Sequence, residues 1–168
     1  MLSDKMRDAL NEQINAEMYS AYMYLSMATY LEDNNYTGMS SWMKAQAQEE
    51  MFHAMKFYGF INDRRSRVAL KQIDAPPTEW ESPLAVFKDA FAHEQKVTGL
   101  IHKLVDMAEQ EKDHATRSFL QWFVDEQVEE ESSTDEIVQK LTMVGDKVQG
   151  LYIIDRELGG RKGGGEGE

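Results

Sequence analysis

The chain has 168 residues, with 18 lysines and arginines against 30 aspartates and glutamates and a formal charge of −12. That length suits one domain with a real core, and the charge repels nucleic-acid phosphates and anionic membranes, which leaves cations as the expected partners. With no cysteine there is no disulfide framework, thiolate metal site or thiol nucleophile, so any metal must be held through oxygen or nitrogen.

No apolar run reaches the roughly 18 residues that span a bilayer, and Met1-Leu2-Ser3-Asp4-Lys5 is not followed by a signal-type apolar core. A cytoplasmic protein is expected. The three prolines fall at Pro76, Pro77 and Pro83, leaving long stretches on either side free for uninterrupted helix.

A first helix is predicted over residues 4–33, with Leu10, Ile14, Ala21, Tyr24, Ala28 and Leu31 on one face; Asn34-Asn35 breaks it. A second, antiparallel to the first, runs from about Gly38 to Arg65 with Trp42, Gln46, Phe57 and Phe60 inward. Residues 66–82, which contain Pro76-Pro77, suit an extended crossover that leaves the second and third helices parallel. The third opens with Ser82 as cap and Pro83 at its first position, where no N–H is wasted, and ends near Lys112. Asp113 caps a fourth, which carries Leu120, Phe123, Ile137 and Leu141 on one face and stops near Gly145. A short fifth follows over about 147–158.

Residues 159–168 form a glycine-rich tail with too little apolar surface to offset its ordering entropy, and it is expected to be disordered. The reading is one all-α domain over residues 1–158. Four long helices, each on the order of 40 Å, with a single long crossover give a four-helix bundle of the ferritin-like topology.

Each long helix carries a ligand-type residue on its apolar stripe. Glu17 lies between Ile14 and Ala21, two turns from Tyr24. Glu50 and His53 are three apart on the second helix, beside Gln46 and Phe57. Glu94 interrupts Phe87, Phe91, Val97 and Ile101, while Gln127 and Glu130 interrupt Leu120, Phe123 and Ile137. A lone glutamate on a helix is usually solvated, but Glu17, Glu50, His53, Glu94 and Glu130, five coincident positions on four inward stripes, need another cause. Unpaired, buried carboxylates cost several kcal/mol each to desolvate and repel one another. No lysine or arginine lies on these stripes near them, so two divalent cations are the economical balance. Carboxylate oxygens with one imidazole suit iron or manganese and admit zinc; iron is favoured where oxygen is the oxidant.

At these residues the sequence resembles the bacterial and archaeal non-haem ferritins. The resemblance is carried by Leu10-Asn11-Glu12-Gln13-Ile14-Asn15-Ala16-Glu17, by Tyr22-Met23-Tyr24-Leu25-Ser26-Met27, by Gln48-Glu49-Glu50 ahead of His53, by His93-Glu94 and by Glu126-Gln127-Val128-Glu129-Glu130-Glu131. Ferritin-like di-iron bundles pair Glu-x-x-His motifs. Here one pair, Glu50 to His53, is present, and the second is Gln127 to Glu130, the non-haem pattern.

What the resemblance implies is an iron-storage protein with ferroxidase activity. Glu17, Glu50 and His53 would hold the first iron, and Glu50, Glu94 and Glu130 the second, with Glu50 bridging and Gln127 beside the second. Glu49, Glu126, Glu129 and Glu130 match a third, looser iron site. Tyr24 matches the tyrosine that hydrogen-bonds a ligand or donates an electron. His93, His102 and His114 match no ligand position, and Trp122 is read as packing. Fe(II) and dioxygen or peroxide would be the reactants, and the chain would self-associate into a shell of twenty-four subunits enclosing ferric mineral, with the outer faces of the first two helices and the fifth helix as contact surfaces. Met51 stands where bacterioferritins place a haem-ligating methionine, but no haem is expected; Arg65-Ser66 stands where relatives often carry Gly-Gly. The alternatives are a haem-containing bacterioferritin and a structural or iron-binding bundle without oxidase turnover.

Overall fold

Prolines and capping residues set the helix bounds. In the computed structural model, which describes residues 1–161, the elements are α1 (Asp4–Asp33), α2 (Thr37–Asp63), α3 (Pro83–Gln110), α4 (His114–Val144) and α5 (Val148–Gly159). Ser82 Oγ accepts from the Ala85 amide at 3.1 Å and Asp113 Oδ1 from the Thr116 amide at 3.1 Å, so both expected caps satisfy amides that would otherwise be orphaned. Ser3 does the same for α1, accepting from Met6 at 3.0 Å.

Three helices close in the left-handed region without glycine. Asn35, Arg65 and Lys112 have φ of 65, 54 and 54°, and each is followed by an amide that reaches five residues back: Tyr36 to Leu31, Ser66 to Ile61 and Asp113 to Ala108. This is the Schellman closure, which satisfies terminal carbonyls and turns the chain sharply. It brings α1 back along α2, and α3 back along α4, as two antiparallel pairs. The crossover between them is irregular throughout, as expected from Pro76-Pro77. It is tied along α1: the Ala69 amide donates to Asn11 Oδ1 at 2.8 Å, Asn15 Nδ2 to the Gln72 carbonyl at 3.0 Å and Ser26 Oγ to the Pro77 carbonyl at 2.5 Å.

The bundle interior is two apolar clusters. One gathers Tyr24, Met27, Met43, Phe87, Ile137 and Leu141 toward α5; the other gathers Leu10, Ile14, Phe57, Ile101, Leu120 and Phe123 toward the opposite end. On every long helix the candidate ligands fall between the two. Glu17 lies between Ile14 and Tyr24, Glu50 between Met43 and Phe57, Glu94 between Phe87 and Ile101, and Glu130 between Phe123 and Ile137. The polar residues therefore form one layer across the bundle, with apolar packing above and below.

α5 lies against α2 and α4. The expectation of a disordered tail falls outside the described residues from position 162 onward; Gly159 is the last residue of α5, and Arg161 makes side-chain bonds to Gln46 and Glu49. No helix among the described residues is long and apolar enough to cross a membrane.

Candidate metal centre

Antiparallel pairing of α1 with α2 and of α3 with α4 brings the carboxylate layer together. Glu17, Glu50, His53, Glu94 and Glu130 are each no more than 4 % exposed, and they form two triads whose ligand atoms lie within 4.8 Å of one another: Glu17, Glu50 and His53, and Glu50, Glu94 and Glu130. Glu50 is common to both. His53 turns Nδ1 toward Glu50 Oε2 at 3.4 Å and Glu17 Oε2 at 4.0 Å. Its Nε2 faces Glu126 Oε1 at 3.9 Å, and His53, Glu126 and Glu130 make a third triad.

Amides and one phenol hold the carboxylates in place. Gln13 Nε2 donates to Glu17 Oε1 at 2.8 Å, Gln46 Nε2 to Glu130 Oε2 at 2.6 Å and, more weakly, to Glu50 Oε1 at 3.4 Å. Gln127 Nε2 reaches Glu94 Oε2 at 3.2 Å and Thr98 Oγ1 at 3.2 Å, while Tyr24 OH donates to Glu94 Oε1. Gln127 therefore orients Glu94. Around His53 stand aromatic edges: Trp122 and Phe123 meet its ring at centroid distances of 5.4 and 6.0 Å.

None of these neighbours supplies a positive charge to the paired triads. Burial, followed by repulsion from Glu50, pushes the Glu17 carboxyl well above the usual range; burial with Glu94 and Glu130 does the same to Glu50, and burial with Glu94 and Glu49 to Glu130. Burial raises Glu94 too, against the hydrogen bonds from Tyr24 and Gln127 that hold it down. The Tyr24 phenol is likewise pushed well up by burial and by Glu94, so it serves as a donor. Glu17 Oε2 is buried with no hydrogen-bond partner. A buried carboxylate oxygen without a donor is costly, and this one points toward His53 Nδ1. A divalent cation between them would satisfy the orphan oxygen, use the imidazole nitrogen as a ligand and offset the repulsion together.

The outer carboxylates are placed differently. Glu126 and Glu49 are half-buried and Glu129 is exposed. Among the described residues Glu126 and Glu130 join a triad, whereas Glu49 and Glu129 do not; Glu49 Oε2 instead accepts from Arg161 Nη2 at 2.8 Å. His93 sits in a partly buried niche with its Nε2 2.7 Å from Ser20 Oγ, and burial beside Lys96 holds its pKa down at about 4. His102, His114 and Met51 are exposed. Two contributors were not singled out from the sequence. Gln13 could have been found, since it lies one turn before Glu17 on the same face; Arg161 could not, because it follows two glycines in a segment with no periodicity.

The chain matches the ferritin-like domain over residues 7–144. It is 45% identical to bacterial non-haem ferritins of Staphylococcus haemolyticus and Staphylococcus saprophyticus, each over 96% of this chain and 97% and 96% of those proteins. Among solved structures, an open-pore ferritin from the hyperthermophilic archaeon Archaeoglobus fulgidus superposes with a TM-score of 0.96 at 52% identity, covering 96% of this chain and 100% of that one. A form of that ferritin engineered to be closed gives 0.95 at the same identity, over 96% and 99%.

Proposed function

The chain belongs to the non-haem ferritin family, and we propose that it is an iron-storage ferroxidase: it oxidises ferrous iron with dioxygen at the paired triads and passes ferric product to a mineral held in a shell of its own copies. The observation that carries this reading is the buried layer of four carboxylates and one imidazole, arranged as two triads sharing Glu50, with one oxygen of Glu17 left without a donor.

The residues have distinct parts in that chemistry. Glu17, Glu50 and His53 bind one ferrous ion and Glu50, Glu94 and Glu130 the other, so Glu50 holds the pair at the few-ångström spacing a two-electron reaction needs. Each iron gives up one electron; dioxygen takes two, with two protons, and leaves as peroxide. Four carboxylates around two ions favour the higher oxidation state, because they neutralise the charge that each iron gains. Tyr24 and Gln127 fix Glu94, and Gln46 fixes Glu130. Locked ligands need no rearrangement at the moment of reaction. Glu126, on the far side of His53, the half-buried Glu49 and the exposed Glu129 form a looser acidic path along which ferric product leaves.

The test is anaerobic loading with two ferrous ions per chain, then rapid mixing with air-saturated buffer while following ferric absorbance and oxygen uptake. The Glu50→Ala variant is expected to oxidise iron roughly a hundredfold more slowly, since both ions lose a ligand that stabilises the product charge. Equal, slow rates in the two proteins would sink the oxidase and leave an iron-binding bundle without turnover.

A further inference from the structure

The end of the bundle away from α5 gathers positive charge in a chain whose formal charge is −12. A cleft of about 550 Å³ opens there between the start of α1 and the start of the crossover, lined by Arg7, Arg65 and Arg67 together with Asp4, Asp8 and Asn11. Arg7 is already engaged: its Nη1 donates to Asp4 Oδ1 at 2.7 Å and its Nε to Asp8 Oδ1 at 2.9 Å. Three guanidinium groups against two carboxylates leave these six residues with one positive charge in excess.

The fold itself makes no use of the Arg65 and Arg67 side chains. Both are exposed, and among the described residues neither makes a side-chain hydrogen bond or ion pair; the clasp to Asp113 belongs to Arg64. Arg65 also occupies a place that glycine would fill more easily, since its φ of 54° lies in the left-handed region. A strained residue with no contact to compensate it points to a role outside the chain's own packing. The backbone that carries the two arginines is anchored. The Arg65 amide donates to the Asn62 carbonyl at 2.9 Å and the Ser66 amide to the Ile61 carbonyl at 3.0 Å. Asn11, itself buried, donates from Nδ2 to the Arg67 carbonyl at 3.3 Å and accepts at Oδ1 from the Ala69 amide at 2.8 Å. Two guanidinium forks are thus presented to one cleft from a fixed turn, so binding a shared anion orders the side chains alone.

We propose that this cleft binds a phosphate group between Arg65 and Arg67, with Arg7, balanced by Asp4 and Asp8, as its wall. A carboxylate has two oxygens in one plane and a single charge. Phosphate offers a tetrahedron of oxygens and up to two charges, which two forks can grip at once. The volume admits inorganic phosphate or phosphate carried on a small organic ester. None of the lining residues belongs to the carboxylate triads, so the inference stands independently of the metal centre.

The test uses full-length, metal-free protein, because bound iron would itself take up phosphate. Inorganic phosphate and phenyl phosphate are titrated separately in buffer free of other oxyanions, and phosphorus NMR line widths report binding. Affinity in the millimolar range is expected, as two charge-assisted bonds provide. Arg65→Gln and Arg67→Gln each remove one fork and are expected to weaken binding about tenfold. Arg156→Gln deletes the same charge from the exposed face of α5 and leaves binding unchanged. Equal binding of the two probes assigns the site to free phosphate, and tighter phenyl phosphate to an ester whose organic part fills the rest of the cleft. Binding of neither probe overturns the proposal, as does equal weakening by Arg156→Gln, which would mean diffuse attraction. Since neither arginine holds another group of the chain, both glutamine variants keep the wild-type thermal midpoint without phosphate. Wild-type affinity in either of these folded variants also overturns the site.

Discussion

At residue scale, Arg65 isolates a backbone effect from any contact. Its φ of 54° places a branched Cα in the left-handed region, which costs about 1–2 kcal/mol for a residue with a Cβ. Glycine there removes that cost but gives some back through the greater freedom of the unfolded chain. Arg65→Gly is therefore expected to stabilise the fold by about 0.5–1 kcal/mol, a rise of a few degrees in the thermal midpoint, and differential scanning calorimetry of metal-free protein would measure it. No change in midpoint would mean the Schellman turn relaxes the strain elsewhere. The sequence contains Arg65 but not its φ, because nothing in the periodicity of α2 marks a left-handed residue that is neither glycine nor asparagine. The inward placement of Glu17, Glu50, Glu94 and Glu130 was legible for the opposite reason: a charged residue in the middle of an apolar stripe contradicts the pattern around it, and the contradiction itself marks a candidate site.

At the scale of elements, the end of α2 is clasped to the turn between α3 and α4. Arg64 Nη1 and Nη2 donate to Asp113 Oδ1 and Oδ2 at 3.0 and 3.1 Å, and Nη1 also reaches Thr116 Oγ1 at 2.9 Å. Burial alone would raise the Asp113 carboxyl, but the Arg64 fork and the hydroxyl and amide of Thr116 outweigh it and hold the pKa down at about 2, against an ordinary 3.8. A depressed carboxyl means that below its ordinary value the unfolded chain binds the proton first. The stabilisation is then complete above pH 3.8 and disappears as pH falls through about 2. Asp113→Asn keeps an acceptor for the α4 cap and removes the charge. Urea unfolding should therefore show the wild type more stable than the variant at pH 7 and at pH 5, with the gap narrowing steadily from pH 4 to pH 2. A gap independent of pH would assign the effect to packing. Asp113 as a cap could be read from sequence, since an Asx residue before a periodic run is a local signal. Its pairing with Arg64 could not, and neither could Asp155 capping α2 from α5, because both depend on how helices far apart in sequence cross.

On the scale of the whole molecule, the interior is spent on the carboxylate layer and its two flanking clusters, and a second apolar surface is left outside. Tyr22 and Leu25 on α1 are 50% and 46% exposed, and Met51, Phe52, Met55 and Tyr58 on α2 range from 36 to 49%. Six large apolar side chains on the outer faces of two adjacent helices exceed what a monomer usually leaves in water. They also lie on the helix pair that the sequence marked as a contact surface, and self-association would remove them from solvent without touching the ligands, which belong to one chain. Introducing charge there is expected to separate assembly from chemistry. Leu25→Asp combined with Met55→Asp would bury two unpaired carboxylates in the contact, at a cost of several kcal/mol per repeated interface. Sedimentation velocity should then show small species in place of the proposed shell, while far-ultraviolet circular dichroism and zinc binding at the Glu50 pair stay at wild-type levels. A shell that survives the double substitution would move the principal contacts off this face of α1 and α2. Loss of zinc binding together with assembly would mean instead that neighbouring copies keep the carboxylate layer closed, and that the paired site is a property of the assembly and not of the single chain.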